Sequence, residues 1–497
     1  MGVLRDQSIK NSISFYIGLV FGALSTIILY PNAFNSNPEH LGLLQIIVAY
    51  STVIATVSYL GIPKTIIRFF PKVNYKNQLI SFTFIIPIIG FILFLLLYFL
   101  FKAQFLSFIN ADELLKENFN LTFFLVAFLS FFEVLSALSR SLLNATIPIF
   151  LREVFLKGVN IILLILHWHN VIDFPTFLNL YISIYLCMIL ILSYTIFSKF
   201  NYRFTFNFND IESRKLLVFG MYVLVGGASA MLISKVDMMM IGNFMDLQHV
   251  AFYTVAFFIG NVIRVPGKAV VSIAAPLIAK AWEQNNITEI KNIYIKSSIN
   301  QMLFGGLIFL GIWLNIEEGL SLLPQKFQGG KYVVLFIGLS QLFNMATGIN
   351  GPIIINSKYY KFDLYANIIL LCITLYTNWI FIPESSPLSS YGIVGINGAA
   401  FATALSVFIF NTIKMIFVYL KFGIQPFTIK SLQAILLIIG VYFIINYFEF
   451  YGNVMVDICI RFVLLFLLFI PLMITLKISE DINKIVCEMW TKYFRKN

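Results

Sequence analysis

A chain of 497 residues that is 59% hydrophobic and 11% charged, with a mean hydropathy of +0.88, is not a soluble globular protein, in which about a quarter of the residues are charged. The formal net charge of +11 would suit nucleic acid, but the basic residues gather at one set of segment ends, which removes that reading. Four cysteines, Cys187, Cys372, Cys459 and Cys487, fall in three apolar segments and the tail without paired spacing, so neither a disulfide framework nor a zinc site is indicated.

In chain order, apolar segments are expected to span a membrane at 12–30, 42–60, 79–101, 119–139, 147–166, 177–197, 216–241, 250–275, 293–314, 332–355, 362–382, 393–420, 432–448 and 456–476. At about 1.5 Å per residue each reaches across a hydrocarbon core of about 30 Å. Long continuous apolar runs make these helices, because backbone groups in lipid must be satisfied within the segment, and barrel strands would be shorter and alternating. No A-x-A-like cleavage site follows the first run, so it reads as a retained helix. The fold class is therefore all-α, a polytopic membrane protein of about 14 helices.

The longest connection before the tail runs from Ser198 to Lys215 and separates two groups of six spans. The expected organisation is an N-terminal six-helix bundle at 1–200, a linker at 201–215 and a second six-helix bundle at 216–430. Two accessory helices at 431–476 and a basic tail at 477–497 follow. A small-residue echo, Gly22-Ala23-Leu24-Ser25 before His40 and Gly227-Ala228-Ser229 before His249, points to pseudo-symmetric halves, a recurrent transporter plan.

Lys and Arg outside the spans concentrate on one side, as at Lys64, Arg68, Lys72 and Lys76 or at Lys199, Arg203, Arg214 and Lys215. The other side carries only Lys102, Lys116, Lys326 and Lys331. The positive-inside rule then places both termini in the cytoplasm. The histidines, His40, His167, His169 and His249, fall at outer span ends, where a wet polar tip on an apolar ring suffices to explain them.

Charges within the spans carry the functional signal, because an ionisable side chain near the bilayer centre costs about 2.5–3.5 kcal/mol on insertion scales and usually faces protein or water. The candidates for binding an anion are Arg152, Lys157, Lys235, Arg264 and Lys268; the candidate coupling or gating carboxylates are Glu133, Glu153 and Asp237. Glu153 and Lys157 have the i,i+4 order that favours an ion pair. Arg152 has no evident partner on its own face, and its planar fork suits phosphate. Pro266, between Arg264 and Lys268, should loosen its helix. Asn144, Asn160, Gln301, Asn344 and Asn350 are candidate polar lining. No phosphate-binding glycine loop, no activated nucleophile and no outer loop beyond about twenty residues is present, so no enzyme, cofactor or metal centre is expected. The Gly395-Ile396-Asn397-Gly398-Ala399-Ala400 run reads as close helix packing.

Asn11, Tyr16, Gly18 and Gly22, then Pro31, Leu41-Gly42-Leu43-Leu44-Gln45 and Gly61-Ile62 leading to Ile67-Arg68-Phe69-Phe70-Pro71, form a recognisable order. So do Leu151-Arg152-Glu153-Val154, Lys235-Val236-Asp237 with Met240-Ile241-Gly242, Ala251-Phe252-Tyr253 and Tyr391-Gly392-Ile393-Val394. With these the chain resembles the oligosaccharide flippases (Wzx-type polysaccharide transporters) of the multidrug/oligosaccharidyl-lipid/polysaccharide exporter superfamily. The resemblance implies two six-helix bundles facing each other in a V, in a bacterial inner-membrane protein. Such a protein moves undecaprenyl-diphosphate-linked oligosaccharide between leaflets for O-antigen, capsule or exopolysaccharide synthesis. Its partners would be the lipid-linked oligosaccharide, membrane lipids and other polysaccharide-assembly membrane proteins, with no nucleic acid. Three readings stay open beside it: a drug/cation antiporter of the same superfamily, a peptidoglycan lipid II flippase, and an integral-membrane glycosyltransferase. The loops argue against the last.

Overall fold

The computed structural model describes residues 2–110, 112–198, 202–448, 452–484 and 488. The expected features at Lys199, Cys487, Lys492, Arg495 and Lys496 lie outside them. The chain is helical throughout, with no strand among the described residues, and it divides into two compact units, Met1–Val255 and Ala256–Asn497.

The first unit starts with α1 at residues 2–33, which contains a π-helical turn at Leu24–Leu29. There the Tyr30 N–H reaches the Ser25 carbonyl, five residues back. Pro31 explains the widened turn, since its ring would press on the carbonyl four residues earlier in a regular helix. Next come α2 (Pro38–Ser58), the short α3 (Ile62–Phe69), α4 (Lys76–Leu100) and α5 (Asn120–Ser141). Helix α6 covers residues 146–168 with a π-helical turn at Leu151–Phe155, followed by α7 (Phe174–Phe197) and α8 (Ser213–Phe244). Helix α5 packs against α2, α3, α4 and α7. Asp173 starts α7 by accepting the Thr176 N–H at 3.1 Å, satisfying one of the donors that a helix start leaves open.

Helix α9 (Leu247–Glu283) leads into the second unit. There follow α10 (Ile287–Trp313), α11 (Lys331–Ala346), the short α12 (Asn350–Ile355), α13 (Lys361–Phe381), α14 (Gly395–Phe422), α15 (Ile429–Tyr447) and α16 (Val454–Thr475). Helix α10 contacts α9, α11, α15 and α16, and its Met302, Leu303, Phe309 and Leu310 share a buried core with Leu437, Val441 and Phe469. The glycine run behaves as expected: a Cβ on Gly398 would stand 1.8 Å from the Phe381 carbonyl oxygen, so α13 and α14 meet backbone to backbone.

Twelve of the described helices are long and apolar enough to cross a membrane. The expected spans at 147–166 and 332–355 are the two of fourteen that do not meet that measure. Helix α6 carries Arg152, Glu153 and Lys157, and the second of the two is broken after Ala346, where Gly348 adopts φ +68° before α12 begins.

Candidate functional site

Four of the expected charges of the first unit, Glu133, Arg152, Glu153 and Lys157, gather on α5 and α6. The π-helical turn holds Arg152 and Glu153, and π-bulges of this kind occur often at functional sites. From that turn Arg152 forms an ion pair with Glu133 of α5, and its guanidinium carbon lies 5.3 Å from the centroid of the Phe132 ring. The partner of Arg152 lies not on its own helical face, where none was expected, but on the neighbouring helix. A partner nineteen residues away on another helix leaves no mark in a single-helix pattern.

One turn further on, the Lys157 ammonium donates to Glu153 Oε2 at 2.7 Å and to the Gly18 carbonyl of α1 at 2.9 Å. The contact is close because residue 18 is glycine: a Cβ there would stand 2.8 Å from the Glu153 carbonyl oxygen. Deeper in the same interface Asn160 Nδ2 donates to the Tyr30 hydroxyl at 3.0 Å. Arg140, on α5, donates through Nε to the Ser136 carbonyl at 3.2 Å. The cations are therefore held in place, while the Arg152 side chain stays 47% exposed. A half-exposed guanidinium held by one carboxylate can exchange that partner for a phosphate, which can accept a two-pronged bond.

Asp237, on α8, is buried and accepts a 2.7 Å hydrogen bond from the Tyr253 hydroxyl of α9. Lys235, two residues earlier, is only half-buried, in keeping with a different direction on the helix.

In the second unit Arg264 and Lys268 are exposed on α9. Pro266, which lacks an N–H for the Val262 carbonyl, follows a 3₁₀ turn at Val262–Arg264 in which the Val265 N–H takes that carbonyl; the helix tightens here where loosening was expected. Gln301 and Asn350 are buried, and among the described residues Gln301 Nε2, Asn350 Nδ2 and, in the first unit, Asn160 Oδ1 have no hydrogen-bond partner. Asn144 and Asn344 are half-buried.

Two further ion pairs are not evident from sequence. Lys414 of α14 reaches Asp363 of α13 at 2.6 Å with its side chain only 7% exposed, and it stands 4.4 Å from the Phe410 ring centroid. Asn367 Nδ2 also donates to Asp363, at 3.2 Å. Arg461 of α16, although Asp457 stands four residues before it on the same helix, reaches Glu318 at 2.6 Å and the Leu314 carbonyl at 2.8 Å. Asp457 accepts the Gly452 N–H at 3.2 Å. No sequence signal marks these partners, because each pair joins separate helices.

Similarity to known proteins fits this arrangement. The inward-closed lipid II flippase MurJ superposes with a TM-score of 0.76 at 14% identity, over 94% of this chain and 97% of that one. An inward-facing multidrug resistance MATE family transporter of the MOP superfamily gives 0.63 at 14% identity, over 82% and 98%. A MOP superfamily transporter from Pyrococcus furiosus gives 0.54 at 14%, over 84% and 95%. No curated protein sequence matches the chain. Residues 8–282, more than half of the chain, match the polysaccharide biosynthesis protein family, and the fold is that of the MOP superfamily transporters, as the resemblance implied. With its multiple apolar helices this is a multi-pass membrane protein, and the chain belongs to the polysaccharide biosynthesis protein family.

Proposed function

We propose that the protein is a flippase that moves undecaprenyl-diphosphate-linked oligosaccharide across the bacterial inner membrane by alternating access, in two six-helix halves at 1–200 and 216–430 with both termini cytoplasmic. The observation that carries this reading is the half-exposed Arg152 and the Lys157 held on α6 of a chain in this family. A lipid-linked glycan cannot cross unaided, because its diphosphate and hydroxyls would lose their water in hydrocarbon. Arg152 and Lys157, in the first unit, replace that hydration at the diphosphate, and Lys235, Arg264 and Lys268 are further candidate cations for the substrate. Glu133, Glu153 and Asp237 hold the cations in waiting or take up a coupling ion. Asn160, Gln301 and Asn350, with unused polar atoms, suit sugar hydroxyls.

A second reading has its own support. The buried Asp237 carboxylate bonded to Tyr253 suits proton or cation coupling, and MATE transporters share the fold, so a drug/cation antiporter is the alternative. A lipid II flippase is the other, from the likeness to MurJ. Deleting the gene and analysing lipid-linked intermediates separates the three. The oligosaccharide flippase leaves complete lipid-linked oligosaccharide on the cytoplasmic leaflet. Accumulated lipid II, or intact surface glycan with altered drug resistance, would instead favour one of the alternatives.

A further inference from the structure

A cavity of about 840 Å³ lies where α3 meets the start of α8, entirely within the first unit and apart from Arg152 and Lys157. Arg68, Arg214 and Lys215 line it, with Glu212 as the carboxylate of the lining. Glu212 is paired with Lys215 at 2.8 Å, so the charge of the lining is net positive. The Arg68 guanidinium carbon stands 4.3 Å from the Phe219 ring centroid, a cation–π contact that restricts where its fork can go.

The wall is rigid for a specific reason. Gly61, at φ +69°, turns the chain into α3, and a Cβ on it would stand 2.2 Å from the Gly220 carbonyl oxygen of α8. Helix α3 buries Ile62, Pro63, Thr65 and Ile66 and leaves Lys64, Ile67 and Arg68 exposed.

From this basic end an apolar strip runs along α8. Val218, Met221, Tyr222 and Val225 are 54, 50, 50 and 47% exposed, and their spacing puts them on one helical face. Exposed apolar residues are ordinary on a membrane helix. The difference here is that Val218 and Tyr222 also line the cavity that holds the cations. A site with a positive head and an apolar floor continuing into the span matches an amphiphile with a phosphate head and an aliphatic chain, and basic pockets beside membrane helices are known to take lipid headgroups.

We propose that this cavity binds the phosphate headgroup of an anionic membrane lipid, whose acyl chain lies along Val218, Tyr222 and Val225. The site is separate from the proposed transport residues and does not depend on them. The test is native mass spectrometry of the full chain purified in detergent, with phosphatidylglycerol or phosphatidylcholine added. Phosphatidylglycerol adducts should outlast phosphatidylcholine adducts and fall about tenfold or more in the Arg68→Gln/Arg214→Gln variant. They should persist in Arg68→Lys/Arg214→Lys and weaken in Val218→Ser/Tyr222→Ser. Size-exclusion profiles should match the parent, since all four side chains are at the surface or lining an open cavity. Equal retention of the two lipids, or unchanged adducts in the glutamine variant, would overturn the proposal. So would displacement of phosphatidylglycerol by an equal concentration of inorganic phosphate, because the chain would then contribute nothing.

Discussion

The Arg152 guanidinium on α6 is paired with the Glu133 carboxylate on α5 and rests over the ring of Phe132, the residue just before its partner. The carboxylate and the ring together hold a cation that could otherwise reach toward several neighbours. Because the Arg152 side chain remains 47% exposed, the pair itself should contribute about 1 kcal/mol or less to stability. Glu133→Gln and Arg152→Gln should therefore leave membrane abundance near normal. If Arg152 serves only to join two helices, the Glu133→Gln/Arg152→Gln double variant exports surface glycan normally. The proposed diphosphate role predicts at least a tenfold loss in that double variant, read from surface glycan against immunoblotted protein.

Lys414 and Asp363 present the opposite balance. The Lys414 side chain is 7% and the Asp363 side chain 21% exposed, so removing Lys414 strands a largely buried carboxylate, at a cost toward the lower end of about 3–5 kcal/mol. Lys414→Met should lower the melting temperature of detergent-purified protein well below that of the parent. The Lys414→Met/Asp363→Leu variant should recover most of the loss. No recovery would mean that the pair is not what the single substitution disturbed.

Two glycines of the first unit should answer differently to one added methyl. A Cβ on Gly42 would stand 1.7 Å from the Leu247 carbonyl oxygen, whereas one on Gly227 meets nothing within 4 Å. Gly42→Ala must push backbone from backbone and should destabilise by about 1–3 kcal/mol or more. Gly227→Ala should be neutral or stabilise by up to about 1 kcal/mol, since alanine is the better helix former. Comparing the two in one thermal-unfolding series checks the packing directly.

Glu317 and Lys331 form an ion pair in the second unit. The hydrogen bond and charge of Lys331 hold the Glu317 carboxyl below its ordinary range, and Glu317 correspondingly raises Lys331. A depressed carboxylate stabilises above its unfolded pKa, about 4.3, and that contribution is lost as pH falls through the lower folded value. A raised ammonium stabilises below its unfolded pKa, about 10.4, and that contribution is lost as pH rises through the higher folded value. The stability difference between the parent and Lys331→Gln should thus be small and constant from about pH 5 to pH 10, shrinking only outside that window. A difference that varied across neutral pH would show that another group is involved.

The apolar runs show in the sequence why this chain is helical and crosses a membrane, since length and hydropathy along one segment are local quantities. The glycine run at 395–400 and the presence of a departure from regular helix near Pro266 were legible for the same reason, each acting within a few residues, although that departure is a tightened turn and not a loosened one. Glu153 with Lys157 could be read from its i,i+4 spacing, because both lie on one helix. The partners of Arg152, Lys414 and Arg461 could not be read, because each lies on a different helix and depends on which faces meet. The interruption that shortens the segment after Ala346 was also missed. Gly348 sits inside an apolar stretch whose composition alone would carry a helix through, and its positive φ is set by the packing around it, Tyr294 and Ser298 among the neighbours. By itself the sequence determined the helical class, the apolar segments and the charges embedded in them. Tertiary structure alone decided which of those charges are paired and by whom, because an ion pair between helices is fixed by distance in space and not by distance along the chain.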